Sequence, residues 1–123
     1  MGFFKSLMSV ISTDGKTGTP FKLDKNHTVY YKGEGVTELD AAHVAGFLKG
    51  YGYFTETSQN DVQIAAKSSA DPVQLGFIIG GKSVSPEVEA YFKESGSGLQ
   101  EFFPNRSIIV RLLDVNLSEL KVL

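Results

Sequence analysis

The stretch VYYKGEGVTELDAAHVAGFL, which begins at Val29, contains the residues whose types and spacing come closest to a known chemistry. Two glycines between a strand and a helix can cradle a phosphate, because backbone N–H groups and the helix N-terminus face the anion. A dinucleotide-binding fingerprint needs a third glycine, however, and Glu38 occupies its position. Glu34 and Glu38 also place negative charge where a phosphate would approach. We therefore interpret Gly33 and Gly35 as turn residues.

The histidines, serines and cysteines give no pattern that indicates catalysis or metal binding. His27 and His43 are sixteen residues apart, and neither has a carboxylate or a second histidine at i+3 or i+4. No serine lies in a G-x-S-x-G motif. The chain has no cysteine, which excludes thiolate zinc sites, iron–sulfur clusters and disulfides. We therefore predict no catalytic residue, no metal and no cofactor, and we favour a non-enzymatic protein over an enzyme.

Composition and charge fit one globular domain. The 123 residues carry a formal net charge of −2, whereas nucleic-acid-binding domains usually present a basic face. Tyr30 and the run QLGFIIG resemble the base-stacking strands of RNA-recognition motifs, but no basic residue precedes that run, so we expect no nucleic-acid partner. No apolar run approaches the roughly 18 residues that cross a bilayer, and the start of the chain lacks the features of a signal peptide. We therefore expect a cytoplasmic protein.

The first residues have the spacing of a short amphipathic helix. Phe4, Leu7, Met8 and Ile11 fall at i, i+3, i+4 and i+7, which predicts a helix over residues 3–12. A helix of this length is not stable alone, so it must dock on its own domain, on a second chain or on a membrane. We divide the chain into a docking helix and loop, residues 1–26, and a single domain, residues 27–123.

Capping residues mark both predicted helices of that domain. Thr37, with Asp40 three residues further on, matches a variant of the capping box, and Ser85 is a second N-cap. Gly96 and Gly98 should weaken the second helix by about 1 kcal/mol each relative to alanine. The predicted elements are strands at 27–32, 61–67, 73–79 and 107–113, a short return at 120–123, a helix from 37 to Gly50 or Gly52, and a helix at 85–103.

This order of elements, β-α-β-β-α-β, is that of ferredoxin-like folds. We predict an α+β domain in which a four-stranded antiparallel sheet carries two helices on one face. In an alternative arrangement, residues 21–23 pair with the first strand through the DKN turn and add an edge strand to the sheet.

The run T-x-x-D-A-x-x-x-x-x-x-L-x-x-x-G-x-F from Thr37 to Phe54, together with SPEVEAYF and VRLLD, resembles a small bacterial ferredoxin-like module of unassigned function. The resemblance covers about residues 27–123. It implies a module that occurs alone or appended to larger proteins, and it assigns no reaction and no catalytic residue to this chain.

Alternation along the strands predicts a sheet face that the helices do not cover. Its apolar and polar side chains form the predicted interaction surface: Tyr30, Ile78, Ile109, Arg111 and Leu113. We therefore expect a non-enzymatic protein-binding or assembly module, whose partner is another protein or a second copy in a homodimer. A small-ligand binder or an enzyme with its site on the sheet surface is the alternative.

Overall fold

The computed structural model describes residues 18–55, 60–79 and 84–123. The helix predicted at residues 3–12 lies outside these ranges. The described residues form six strands, two α-helices and one short 3-10 turn: β1 (Thr19–Asp24), β2 (His27–Lys32), α1 (Glu38–Tyr51), β3 (Asn60–Ala65), β4 (Val73–Ile78), α2 (Pro86–Leu99), the 3-10 turn (Gln100–Phe102), β5 (Ile108–Leu113) and β6 (Glu119–Val122).

The six strands form one mixed sheet in sequence order, β1-β2-β3-β4-β5-β6. The prediction of a four-stranded antiparallel, ferredoxin-like sheet is therefore wrong, although the α+β class is correct. In a ferredoxin-like sheet a third strand separates the two strands that each helix connects. Here each helix returns the chain to the adjacent position, so β2 pairs directly with β3, and β4 with β5, as parallel neighbours. The other three pairs are antiparallel.

The additional edge strand of the alternative arrangement is present. In β1, Phe21 pairs with Val29 of β2, and the connecting turn is closed by the Asn26 N–H, which donates to the Asp24 carboxylate over 2.9 Å. Residues 19–24 of the segment 1–26 thus belong to the sheet. The short return near the end of the chain is β6, which pairs with β5 and forms the opposite edge.

Both helices have the predicted caps. The Thr37 hydroxyl accepts from the Asp40 N–H, the Asp40 carboxylate accepts from the Thr37 N–H, and Gly52 ends α1 with a left-handed φ of 94°. Ser85 caps α2, which continues without a break through the glycines to Leu99. Gly96 serves close packing instead of bending the helix, since a Cβ there would lie 2.5 Å from Val110 Cγ2.

The core lies between the helices and one face of the sheet. The apolar stripe of α1 is fully buried and consists of Ala41, Val44, Ala45 and Leu48. Phe77 of β4 stacks on Phe92 of α2 with ring centroids 4.4 Å apart. Tyr51 of α1 and Tyr91 of α2 lie 4.9 Å apart, so the two helices pack side by side on the same face. Within the described ranges, no helix covers the other face of the sheet, which we call the open face.

Candidate functional site: the open face of the sheet

The strand register places the five predicted surface residues on the open face. Tyr30 pairs with Gln63, which pairs with Gly76, which pairs with Arg111, and these residues form the middle row of the face. Ile78 and Leu113 are partners in the next row towards one end, which we call the lower end. Ile109 pairs with Gln74 in the row towards the opposite, upper end.

These residues differ in how accessible they are. Tyr30, Ile78, Ile109 and Arg111 are half-buried, whereas Leu113 is 0% exposed. The Leu113 side chain lies against Gly76, where an added Cβ would come within 2.4 Å of Leu113 Cδ1. Leu113 therefore fills space beside Gly76 and has no surface to offer to a partner.

The upper end of the open face contains a depression of about 260 Å³, which we call the cationic cleft. Lys32, Lys67 and Arg111 contribute three positive charges, and none of the described lining residues carries a carboxylate. These residues are Lys32, Gly33, Gln63, Ala65, Ala66, Lys67, Gln74 and Arg111. The cleft exists because Ala65, in the centre of the sheet, has a side chain too small to fill it. The longer side chains around Ala65 are polar, and three of them are basic.

Arg111 lies in the middle row of the open face, on β5, next to the edge strand. Its Nη2 approaches Gln63 Oε1 at 3.4 Å, and its Nη1 lies 3.5 Å from Glu119 Oε1 of the edge strand. Its Nε is buried and has no hydrogen-bond partner. Both contacts are long for charged hydrogen bonds, so the guanidinium retains unused donor capacity.

The turn after β2 positions Lys32 beside Lys67. Gly33 has a φ of 93°, and a Cβ at this position would lie 2.1 Å from the Ala66 carbonyl oxygen. The Gly35 N–H donates to that same carbonyl over 2.9 Å. Close approach to another backbone therefore requires the two glycines, and the interpretation of Gly33 and Gly35 as turn residues is confirmed.

Arg106 fixes the loops at the same end of the sheet. Its Nη1 donates to the Gly35 carbonyl at 2.8 Å, its Nη2 to the Ser68 carbonyl at 3.0 Å and its Nε to the Asp71 carbonyl at 3.0 Å. One guanidinium thus joins the turn after β2 to the loop between β3 and β4. This contact supports the walls of the cationic cleft from behind.

The lower end of the open face is acidic and apolar. A second depression of about 260 Å³ is lined by Tyr30, Asp61, Ile78, Val115 and Leu117. Burial raises the pKa of the Asp61 carboxyl, although the backbone of Thr28 donates to it and His27 and Lys22 lie near enough to oppose the rise. Burial raises the pKa of Tyr30, and the charge of Asp61 adds to this rise. Among the described residues, no ion pair joins Asp61 to a lysine, an arginine or a histidine.

His27 forms a pair with Asp24 that the sequence analysis missed. The His27 ring is 3% exposed, its Nδ1 lies 2.9 Å from the Asp24 carboxylate, and it stacks on Phe54. The signal in the sequence is an aspartate at i−3, before the histidine and not after it. The Asp24 carboxylate is exposed, but the imidazole is not, and its Nε2 is buried without a hydrogen-bond partner. Within residues 18–55, 60–79 and 84–123, no three His, Cys, Asp or Glu side chains are grouped as metal ligands would be.

The other histidine, His43, is exposed on α1 and stacks on Phe102 with ring centroids 5.3 Å apart. None of the helices in the described part of the chain is long and apolar enough to cross a membrane.

The cationic cleft was also missed, because its three cations share no motif: Lys32 and Arg111 belong to two different strands, and Lys67 follows a third. The chain shows no significant match to any protein-family model, any curated protein or any solved structure. The resemblance to a bacterial module therefore stays a prediction, and the function has to be argued from the open face itself.

Proposed function

We propose that this protein is a non-enzymatic assembly module that self-associates through the open face of its sheet. The observation that carries the proposal is the separation of charge along that face. The cationic cleft occupies the upper end, and Asp61 lies in the depression at the lower end. The same face also carries three half-buried side chains that supply apolar area to an interface: Tyr30, Ile78 and Ile109.

A two-fold axis makes such a face complementary to itself. If the axis lies in the interface and runs across the strands, the lower end of one copy covers the upper end of the other. Asp61 and Ala65 lie two residues either side of Gln63 in β3. An axis passing over Gln63 therefore brings Asp61 of each copy to the floor of the other copy's cationic cleft, between Lys32 and Lys67. The same contact forms twice, as in any isologous dimer.

Opposite charges at the two ends of the open face would stabilise such a dimer. The raised pKa of Asp61 shows that its charged form is disfavoured by burial in the single chain. An ammonium group from a second copy would favour the charged form. If each of the two symmetric pairs contributed only about 1 kcal/mol, they would together tighten the dimer by about 30-fold. Asp61 should then have a lower pKa in the dimer than in the monomer, and acidification through its titration range should weaken association.

Charge reversal in sedimentation velocity tests the pairing. We expect the wild type to be a dimer, and Asp61→Lys and Lys67→Glu each to weaken association by about 30-fold or more. The double variant should recover most of the loss, since it restores opposite charges across the interface. Lys93→Glu, a charge reversal on the exposed side of α2, is the matched control and should leave association unchanged. A wild type that is monomeric at high concentration would exclude self-association. If the double variant loses as much association affinity as the two single variants lose together, the pairing of Asp61 with Lys67 is excluded.

A second substitution tests whether the open face is the interface at all. Ile78→Lys puts a charge beside the buried Leu113 and should prevent dimer formation while the far-ultraviolet circular dichroism stays that of the wild type. A dimer that survives Ile78→Lys with the fold intact would place the interface elsewhere.

A further inference from the structure

We infer that the cationic cleft is a binding site for a small phosphate-type oxyanion. This inference rests on the open face being the binding surface of the protein, as in the proposed function, but it does not require that the protein self-associates. The ligand class follows from the charge, the donors and the size of the cleft.

The positive charge of the cleft is only partly compensated. Among the described residues, neither Lys32 nor Lys67 forms an ion pair, and Arg111 has only the 3.5 Å contact with Glu119. Three cations around one depression repel one another, and an anion between them removes that repulsion. A tetrahedral oxyanion with two negative charges does so better than a single carboxylate, because it can accept hydrogen bonds from several sides at once.

The donors converge on one point above Ala65. Lys32 pairs with Ala65 on one side and Gln74 pairs with it on the other, so both side chains rise from strands about 4.8 Å away. Lys67 follows two residues later in the chain. The Nη2 of Arg111 reaches Gln63 Oε1, and Gln63 belongs to the same strand as Ala65. An ion held over Ala65 is therefore within reach of two ammonium groups, an amide and the edge of a guanidinium.

The dimensions limit the ligand. At about 260 Å³ the cleft is smaller than the roughly 300–1,000 Å³ of pockets that enclose drug-sized molecules. None of the described residues that line it is aromatic, so these residues offer a nucleobase no ring to stack on. The ligand is thus free phosphate or the phosphoryl group of a small phosphomonoester, not a nucleotide held by its base.

Occupation of the cleft should oppose self-association. The proposed dimer places the partner's Asp61 carboxylate where the oxyanion would lie, so the two anions compete for the same cations. Phosphate should therefore shift the monomer–dimer equilibrium towards monomer if both proposals hold.

Calorimetric titration at constant ionic strength tests the site, with inorganic phosphate and glycerol phosphate as probes and a protein concentration at which sedimentation shows a monomer. We expect saturable binding of at least one probe and, in Lys32→Gln and Lys67→Gln, a loss of about tenfold or more in affinity. Lys93→Gln on α2 is the matched control and should bind as the wild type does. Tighter binding of glycerol phosphate identifies a phosphomonoester as the ligand, and tighter binding of inorganic phosphate identifies the free ion.

Amide chemical shifts give a second readout that does not depend on the variants. Phosphate should move the resonances of Gly33, Ala65 and Gln74 and leave those of α2 in place. The inference is overturned if binding does not saturate, if Lys67→Gln binds as tightly as Lys93→Gln, if malonate binds more tightly than both probes, or if the shifts lie outside the cleft. Since binding is measured on the monomer, these results are independent of whether the dimer forms.

Discussion

The same substitution, glycine to alanine, should have opposite effects in the two helices. Gly46 lies on the exposed side of α1, and a Cβ added there has no other atom within 4 Å. Gly96 lies on the buried side of α2, and its Cβ would be 2.5 Å from Val110 Cγ2 and 3.7 Å from Ile108 Cγ2. Gly46→Ala is therefore a matched control for Gly96→Ala, since both change the intrinsic helix propensity equally.

The structure gives the magnitudes. Alanine is favoured over glycine within a helix by about 1 kcal/mol, so Gly46→Ala should raise the free energy of unfolding by about 0.5–1 kcal/mol. Gly96→Ala receives the same gain, but its contact with Val110 is 0.9 Å shorter than the 3.4 Å at which ordinary contact begins. Val110 is buried and β-branched, so its rotamer cannot change freely and the helix has to move outward. Overpacking of this kind costs about 1–3 kcal/mol, and a severe overlap belongs at the upper end. The net effect is a destabilisation of about 1–2 kcal/mol.

Urea denaturation, followed by circular dichroism and by tyrosine fluorescence, measures both variants. The two free energies of unfolding should differ by about 2–3 kcal/mol, and the Tm of Gly96→Ala should fall by about 4–8 °C. If Gly96→Ala instead stabilises the protein as much as Gly46→Ala does, α2 does not approach β5 closely enough at this position to exclude a Cβ.

Two other perturbations have defined outcomes. Arg106→Leu removes three hydrogen bonds to loop carbonyls and should lower the free energy of unfolding, measured by urea denaturation, by about 2–4 kcal/mol. A decrease of less than about 0.5 kcal/mol would mean that these hydrogen bonds do not stabilise the loops. The hydrogen bond from His27 holds the pKa of Asp24 below the usual range of an aspartate. The charged carboxylate therefore stabilises the fold above that range, and this contribution is lost as the pH falls through the lowered pKa. The stability difference between wild type and Asp24→Asn should shrink as the pH falls from about 5 towards the lowered pKa, and a difference that grows as the pH falls would contradict the assignment.

Local structure could be predicted from the sequence because its causes lie within a few residues. The side chains of Thr37, Asp40 and Ser85 cap the helices by accepting hydrogen bonds from backbone groups three positions away. The division of strand residues between the two faces was also predictable, because successive side chains in a strand point to opposite sides. Tyr30 and Arg111 could thus be placed on one face without knowledge of which strands are neighbours.

Strand order was decided only by the tertiary structure. A hydrophobic pattern shows which side of a strand faces a core, but the same pattern suits several neighbours and either direction of pairing. The direct pairing of Val29 with Val62 therefore left no signal that distinguishes it from a ferredoxin-like arrangement. The role of Gly96 was also decided only by the tertiary structure. The helix propensity of glycine predicts a weak helix, whereas the close approach of Val110 explains why a residue without a Cβ is needed there.

The candidate site depended on that same tertiary information. Lys32, Lys67 and Arg111 are far apart in the chain and become neighbours only through the register of β2, β3, β4 and β5. Each is an unremarkable surface cation in the sequence. The sequence by itself determined the local elements and the face on which each side chain lies. The fold determined which charges meet, because the distance between charged groups depends on strand pairing and not on separation along the chain.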